Sequence, residues 1–155
     1  MSSENDNPNV IAPPPLIFLS GLLVGGIVSR FFPSPFLPTN FSFVAGFLFA
    51  IAGLVIIAAA FVKMRRAQTN VEPWKPTTAI IGDGVYGVSR NPIYLGMFLI
   101  YMGASFLFNS FWFLPPLVLV LFLIHYGVIR REETYLERKF GGEYLNYKNR
   151  VQRWI

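Results

Sequence analysis

The sequence predicts an all-α fold: a polytopic transmembrane helical bundle of about four spans with a cytoplasmic C-terminal helical tail. Hydrophobic residues make up 54% of the chain and charged residues only 14%, whereas a soluble domain carries about 25% charged residues. The apolar residues are concentrated in four long segments, and most basic residues lie in two groups outside them. These two patterns indicate that lipid surrounds most of the chain.

The four apolar segments differ in length. A helix needs roughly 20 apolar residues to cross the hydrocarbon core, and the second segment exceeds this without a single charge. A buried helix bundle in a soluble protein is the alternative, but residues 43–61 are apolar on every side and leave no solvated helix face. The third segment is short and is expected to form half of a tight hairpin that turns at Asn109 and Ser110. The segments lie at 13–32, 41–62, 92–108 and 111–129.

The basic residues predict the orientation in the membrane. Of the 13 Lys and Arg residues, 12 lie in residues 63–90 and 130–153, and loops 33–40 and 109–110 contain none. With four spans the two basic regions share one side, which the positive-inside rule makes cytoplasmic, together with both termini. This placement favours membrane topology over nucleic-acid binding as the explanation of the net charge of +5.

The two ends of the chain carry weaker signals. The N-terminus has two acids and no basic residue before the first apolar segment, so no secretory signal peptide is predicted and residues 1–12 are expected to form a disordered lead. After residue 129 an apolar stripe recurs at helical spacing and is interrupted by Gly141 and Gly142, which predicts two short helices. These helices either lie on the membrane surface or fold back over the bundle. The stripe consists of Leu136, Phe140, Tyr144, Tyr147 and Val151.

A glycine-rich segment at 82–96 is the first candidate for chemistry. It has three glycines in six residues, followed by Arg90, Asn91 and Pro92 at the predicted start of a transmembrane helix. Glycines let a backbone approach a ligand closely, and a helix N-terminus with an adjacent Arg attracts anions. The alternative is an ordinary glycine-rich turn with an Arg that extends to the membrane surface.

The second candidate lies where the fourth helix leaves the bilayer. Arg130 and Arg131 precede two adjacent acids, Glu132 and Glu133. Paired acids can hold hydroxyl or cationic groups of a ligand, but a solvated helix with charge pairs one turn apart has the same pattern. The chain lacks Cys and has one His, so neither a disulfide nor a metal site is predicted.

The order of these motifs resembles the isoprenylcysteine carboxyl methyltransferase and phospholipid methyltransferase superfamily of membrane enzymes. The shared order is a glycine-rich loop, Arg-Asn-Pro-x-Tyr-x-Gly, a helical hairpin, Arg-Glu-Glu-x-x-Leu and a Phe-Gly-x-x-Tyr tail. The resemblance covers residues 71–155. It divides the chain into the lead (1–12), two N-terminal transmembrane helices (13–62) and a methyltransferase-like region (63–155).

The resemblance implies an S-adenosyl-L-methionine pocket that faces the cytosol. Its residues are expected to bind the cofactor through the loop backbone, the start of the third helix and one acid. The implied cofactor-binding residues are Thr78, Ala79, Ile80, Ile81, Gly84, Tyr86, Asn91, Pro92, Ile93, Tyr94 and Glu132. The candidate catalytic residues are Arg90, Arg131, Glu133 and His125.

Two positions depart from the family pattern. Asn91 stands where the family often has His, and an amide does not titrate near neutral pH as an imidazole does. Val128 stands where the eukaryotic carboxyl methyltransferases have an Arg that touches the substrate carboxylate. The implied acceptor is therefore an isoprenoid, a lipid or another hydrophobic molecule rather than specifically a prenylated protein. The short chain and the missing Arg favour a prokaryotic cell membrane.

The identity of the acceptor decides which side chains are needed. A carboxylate is already ionised, whereas an amine or hydroxyl must lose a proton, for which His125, Glu132, Glu133 and Tyr94 are candidates. A single His near a helix end also serves as a structural donor. The alternative function is a non-catalytic membrane scaffold or a small transporter subunit, although transporters place ionisable groups near the midplane and here the polar residues collect at one end.

Overall fold

The computed structural model describes residues 6–72 and 74–155, and these residues form helices joined by loops of different lengths. The first helix is α1 (Pro14–Phe31), and the second is α2 (Thr39–Arg66). A short helix, α3 (Pro92–Leu107), follows a long loop. The last helices are α4 (Leu114–Ile124), α5 (Arg130–Phe140) and α6 (Gly142–Arg150). The predicted all-helical bundle is therefore confirmed.

Prolines and residues with positive φ set the ends of these helices. Pro14 and Pro92 occupy the first helical positions of α1 and α3, where the missing N–H has no intrahelical partner to lose. Gln68 and Asn109 adopt φ values of 50° and 44° just beyond α2 and α3, and Gly141 adopts 52° between α5 and α6. The predicted bend in the C-terminal tail is thus confirmed at Gly141, where the left-handed backbone ends one helix and starts the next.

Among the described residues, three helical stretches are long and apolar enough to cross a membrane. They have mean hydropathies of 1.5, 2.7 and 2.1. Helix α3 has 16 residues, or about 24 Å at 1.5 Å per residue, and falls short of a hydrocarbon core of about 30 Å. In the order of the three hydropathies above, the stretches are Pro14–Phe31, Thr39–Arg66 and Phe111–Phe140.

The stretch from Phe111 to Phe140 is continuous but not uniform. A 3-10 turn, Phe111–Phe113, leads into α4, and a π-helical turn, His125–Ile129, joins α4 to α5. A π-helical turn adds about one residue to a helical turn, so it rotates every side chain that follows it around the helix axis. The orientation of α5 toward the rest of the bundle therefore depends on this turn.

Close backbone contact between α2 and α3 is made by glycines on both helices. A Cβ atom at Gly53 would lie 2.5 Å from the carbonyl oxygen of Gly96, and a Cβ at Gly96 would lie 2.8 Å from the carbonyl oxygen of Gly53. Seven residues away on each helix, which is about two turns, a Cβ at Gly103 would lie 2.9 Å from the carbonyl oxygen of Gly46. Small residues at such positions let transmembrane helices pack backbone to backbone, and they hold the short α3 against the long α2.

The remaining core lies between α1, α3 and α4. Tyr101 is fully buried there and donates a hydrogen bond of 2.8 Å to the carbonyl oxygen of Phe113. At the same end of the bundle, Asn109 Nδ2 donates to Leu37 O at 2.8 Å, and Asn109 Oδ1 accepts from the backbone N–H of Phe36 at 3.2 Å. The two loops without basic residues therefore meet at one end of the bundle.

The N-terminal lead contacts the fourth span within its described part. Residues 1–5 lie outside the described residues. Asp6 accepts hydrogen bonds from Tyr135 and Lys139, and the backbone N–H of Ile11 donates to Gly127 O at 3.2 Å. Residues 6–12 thus run along α5 and the π-helical turn, in contrast to the free lead expected from the sequence, because partners more than 100 positions away in the sequence hold them.

The glycine contact between α2 and α3 generates a test. Gly53→Ala is expected to destabilise the folded protein by about 1–3 kcal/mol, the usual cost of overpacking, because its Cβ meets backbone atoms that cannot move aside alone. Gly26→Ala is the matched control, because its Cβ would lie 4.0 Å from the nearest atom, Phe113 Cζ. Thermal unfolding in detergent would measure both variants, and equal unfolding temperatures would contradict the proposed packing.

Candidate functional site

A cavity lies at the end of the bundle opposite the 36–37 and 109 contacts. Its walls are the loop between α2 and α3, the first turn of α3, the start of α5 and parts of α6. The empty space, including the open mouth, is about 880 Å³. The lining residues are Pro8, Met64, Thr69, Asn70, Val71, Glu72, Thr77, Ala79, Ile80, Ile81, Tyr86, Arg90, Asn91, Pro92, Ile93, Tyr94, Glu132, Glu133, Tyr135, Leu136, Tyr144 and Tyr147.

The loop that enters the cavity is held by threonine hydrogen bonds. The backbone N–H of Thr78 donates to Thr69 Oγ1 at 3.0 Å, and Thr78 Oγ1 donates to the carbonyl oxygen of Gln68 at 2.9 Å. Both contacts lie just after α2, where Gln68 has its positive φ. They direct the apolar residues Ala79, Ile80 and Ile81 along the cavity wall, where Ile80 also packs on the apolar side of α6.

The glycine-rich turn follows this loop. Gly84 has φ of 59° and begins a 3-10 turn, Gly84–Gly87. Asp83 forms an ion pair with Lys63 at the end of α2, and the Tyr147 hydroxyl donates to the carbonyl oxygen of Tyr86 at 2.7 Å. The turn is therefore tied to α2 on one side and to α6 on the other.

Glu132 is the acid that faces the cavity from α5. The Tyr94 hydroxyl donates a hydrogen bond of 2.7 Å to Glu132 Oε1, and Tyr94 itself is 8% exposed. Among the described residues this neutral phenol is the hydrogen-bond donor to the Glu132 carboxylate. A carboxylate in a cavity can accept further hydrogen bonds from a ligand, so the pair supplies the site with an acceptor that is already oriented.

Glu133 is the acid that binds protein cations instead. Its Oε1 lies 3.0 Å from Arg90 Nη1, and Arg153 approaches both oxygens, with Nε 2.9 Å from Oε1 and Nη2 2.7 Å from Oε2. Both the Arg90 and Glu133 side chains are more than nine-tenths buried. Neighbouring acids on one helix thus face two environments, because successive helical residues point about 100° apart.

Three tyrosines in the cavity lining remain protonated at neutral pH. Burial, followed by the negative charge of Glu133, raises the pKa of Tyr144 to about 12. Burial also raises the pKa of Tyr86 and Tyr147 well above the usual phenol value. All three line the cavity, where they act as hydrogen-bond donors or apolar walls rather than as bases.

Most of the residues predicted from the sequence line this cavity. Arg90 and Glu133 are among them, and so are the majority of the predicted cofactor-binding residues. The lining members of that second group are Ala79, Ile80, Ile81, Tyr86, Asn91, Pro92, Ile93, Tyr94 and Glu132. Their predicted roles remain predictions, although the structure brings the residues themselves together.

Four predicted residues lie elsewhere. Thr78 and Gly84 shape the loop and the turn but are not part of the lining. Arg131 is exposed and donates to the carbonyl oxygen of Asn9 at 2.7 Å. His125 begins the π-helical turn, with its ring centroid 4.6 Å from that of Tyr126, so its position agrees with the structural alternative better than with a base in the cavity.

The C-terminal tail contributes residues that the sequence analysis did not assign to the site. Tyr144 and Tyr147 belong to the predicted apolar stripe, and such a stripe indicates that this side of the tail packs against an apolar surface. Arg153 had no local signal, because its partner Glu133 lies 20 positions earlier. Asn91 Nδ2 donates to the carbonyl oxygen of Arg153 at 2.9 Å, which shows that the tail folds back over the bundle.

The chain belongs to the phospholipid methyltransferase family. The model of that family matches residues 41–143, which include the α2–α3 hairpin, the cavity loop and both acids of α5. With its helices long enough to cross a membrane, the chain falls into the class of integral membrane methyltransferases. The sequence-based resemblance is thereby confirmed.

Several known proteins are similar to this chain. An uncharacterized protein of Haemophilus influenzae is 44% identical over 64 residues, which are 41% of this chain and 100% of that protein. The protein-S-isoprenylcysteine O-methyltransferases of Saccharomyces cerevisiae and Schizosaccharomyces pombe are 39% and 33% identical over 72 residues, which are 46% of this chain. The match spans only 30% of each yeast enzyme. No solved structure matches the chain significantly.

The positive φ of Gly84 generates a prediction for the site. In Gly84→Ala the new Cβ would force an L side chain into the left-handed region and would lie 2.7 Å from Lys63 Cε. We expect faster backbone hydrogen exchange in residues 82–90, because the strain costs about 1–2 kcal/mol. Gly87→Ala is the control, with its nearest contact at 3.4 Å, and equally fast exchange in both variants would argue against this reading.

Proposed function

We propose that this chain is an S-adenosyl-L-methionine-dependent methyltransferase that acts on an isoprenoid, a lipid or another hydrophobic acceptor. The observation that carries the proposal is the cavity in which a buried carboxylate and a buried guanidinium meet apolar walls at one end of a membrane bundle. The family match and the similarity to two protein-S-isoprenylcysteine O-methyltransferases support it. The acceptor of those yeast enzymes is not assigned to this chain.

The lining residues fit the chemical groups of the cofactor. Ile80, Ile81 and Pro92 provide an apolar wall of the kind that holds a flat purine ring, and the loop backbone beside them offers polar groups. Glu132 accepts a hydrogen bond from Tyr94 at 2.7 Å and retains acceptor capacity for hydroxyl or ammonium groups. When bound, S-adenosyl-L-methionine supplies an activated methyl group on a positively charged sulfur.

The net charge around the cavity suits a cationic cofactor. Glu133 is compensated by two guanidinium groups, whereas the Glu132 carboxylate is hydrogen-bonded to a neutral phenol. Among the described residues no cation of the protein pairs with Glu132, so its carboxyl group is available to a cationic group of the ligand. The protein has little covalent chemistry to perform, and the task of its residues is to align the reacting groups and exclude water.

The acceptor is expected to arrive from the membrane. Met64 at the end of α2 and Ile93 at the start of α3 line the cavity, and both helices continue into the apolar bundle. A hydrophobic acceptor could approach beside them without leaving lipid, while the cofactor enters from the side with the basic residues. By the positive-inside rule we assign that side to the cytoplasm, and the Haemophilus influenzae relative supports a prokaryotic membrane.

Cofactor binding provides the direct test. The detergent-purified protein is titrated calorimetrically with S-adenosylhomocysteine, together with Glu132→Gln, which keeps the volume and removes the charge. We expect saturable binding that is weakened tenfold or more, because hydrogen bonds to charged groups contribute about 1.5–3 kcal/mol and about 1.4 kcal/mol is a factor of ten.

Glu143→Gln is the matched control, since Glu143 is exposed at the start of α6 and does not line the cavity. Its affinity should equal that of the wild type. Folded wild-type protein that shows no binding would contradict the proposed function. Full affinity in Glu132→Gln would support cofactor binding but would show that the Glu132 carboxylate does not contribute to it.

A further inference from the structure

The last residues of the chain form a strap across the start of α3. Val151 has extended backbone dihedrals after α6, and the next carbonyl oxygen, that of Gln152, accepts a hydrogen bond from the Arg90 N–H at 3.0 Å. The Arg153 carbonyl oxygen accepts from Asn91 Nδ2 at 2.9 Å and from Ser89 Oγ at 3.3 Å. Arg153 takes part in these hydrogen bonds only through its carbonyl oxygen, so its side chain can contact other residues.

The Arg153 side chain donates two parallel hydrogen bonds to the Glu133 carboxylate. Its Nε and Nη2 lie 2.9 Å and 2.7 Å from the two carboxylate oxygens. Such a bidentate pair fixes the plane of the carboxylate as well as its position. The hydrogen bond to Glu133 also raises the pKa of Arg153, which keeps the guanidinium charged.

Glu133 passes this constraint to Arg90. The Arg90 Nη1 atom lies 3.0 Å from Glu133 Oε1 and donates to the Tyr144 hydroxyl at 3.2 Å. The Arg90 side chain is 8% exposed, yet its Nε is buried without a hydrogen-bond partner among residues 6–72 and 74–155. A buried N–H without a partner is unfavourable, so the position of the Arg90 guanidinium in the cavity lining depends on its contacts with Glu133 and Tyr144.

We propose that Arg153 is a positioning residue for the ligand cavity: through Glu133 it holds the Arg90 guanidinium in the cavity lining, in the orientation that receives an oxygen of the bound molecule. This inference rests on the proposed function, because the bound molecule is taken to be the methyl donor or its product. Arg153 does not line the cavity and reaches the ligand through Glu133 and Arg90. Tail residue 153 thereby contributes to a site that includes the charged residues 90, 132 and 133.

A double-mutant cycle separates positioning from independent contributions. Arg153→Met and Glu133→Gln are titrated with S-adenosylhomocysteine alone and in combination. We expect Arg153→Met to weaken binding about tenfold, and the double variant to bind about as well as the weaker single variant, because both substitutions break the same chain of contacts. Arg153→Lys should recover only part of the affinity, since a lysine cannot form the bidentate pair.

Arg66→Met is the matched control, because Arg66 is exposed at the end of α2 and does not line the cavity. Its affinity should be unchanged. Wild-type affinity in Arg153→Met, or losses that multiply in the double variant, would overturn the inference. A lower unfolding temperature with unchanged affinity would likewise show a purely structural role.

A ligand-free measurement keeps this inference distinct from the proposed function. In protein labelled with nitrogen-15 arginine, the Nε–H signal of Arg90 is assigned by its loss in Arg90→Lys. We expect this signal to exchange slowly and to shift or broaden in Arg153→Met but not in Arg66→Met. An unchanged signal in Arg153→Met overturns the inference whether or not S-adenosylhomocysteine binds. Wild-type protein that fails to bind contradicts the proposed function instead.

Discussion

The buried carboxylate of Glu133 is the contact on which the polar end of the molecule depends. It joins Arg90 at the start of α3, its own helix α5 and Arg153 in the C-terminal strap. Removing one partner of a buried ion pair leaves an uncompensated charge, which is far more costly than the pair itself. Other hydrogen bonds join the strap directly to the start of α3, and this carboxylate links both segments to α5, so that together these contacts set the shape of the cavity.

The depth of the cavity depends on a second constraint, the glycine contact between α2 and α3. Because Gly53 and Gly96 allow the two backbones to touch, the short α3 is held at a fixed height along the longer α2. Pro92 then starts α3 about one helical turn before the contact at Gly96. The loop between the helices must close over this point, and its Gly84 turn is anchored there by the Lys63–Asp83 ion pair.

The helices and much of the site could be predicted from the sequence, because both leave local signals in it. Uncharged runs marked the spans, prolines marked helix starts, and Gly141 marked the bend in the tail. The Arg153–Glu133 pair and the contacts of Asp6 with α5 left no such signal, since they join segments 20 and 129 or more positions apart. His125 shows a different limit: seven residues, about 10 Å along a helix, and an intervening π-helical turn separate it from Glu132.

The adjacent acids Glu132 and Glu133 explain how one short segment can stabilise the fold and still serve a ligand. Their side chains leave the helix in different directions. Glu133 therefore forms ion pairs with two arginines, while Glu132 accepts a single hydrogen bond from Tyr94. A site that needs an attractive negative charge cannot also neutralise that charge with its own cations. Arg153 of the strap maintains this difference between the two acids, because it binds Glu133 rather than Glu132. In the function we propose, Glu132 is the carboxyl group that a cationic methyl donor would meet on entering the cavity.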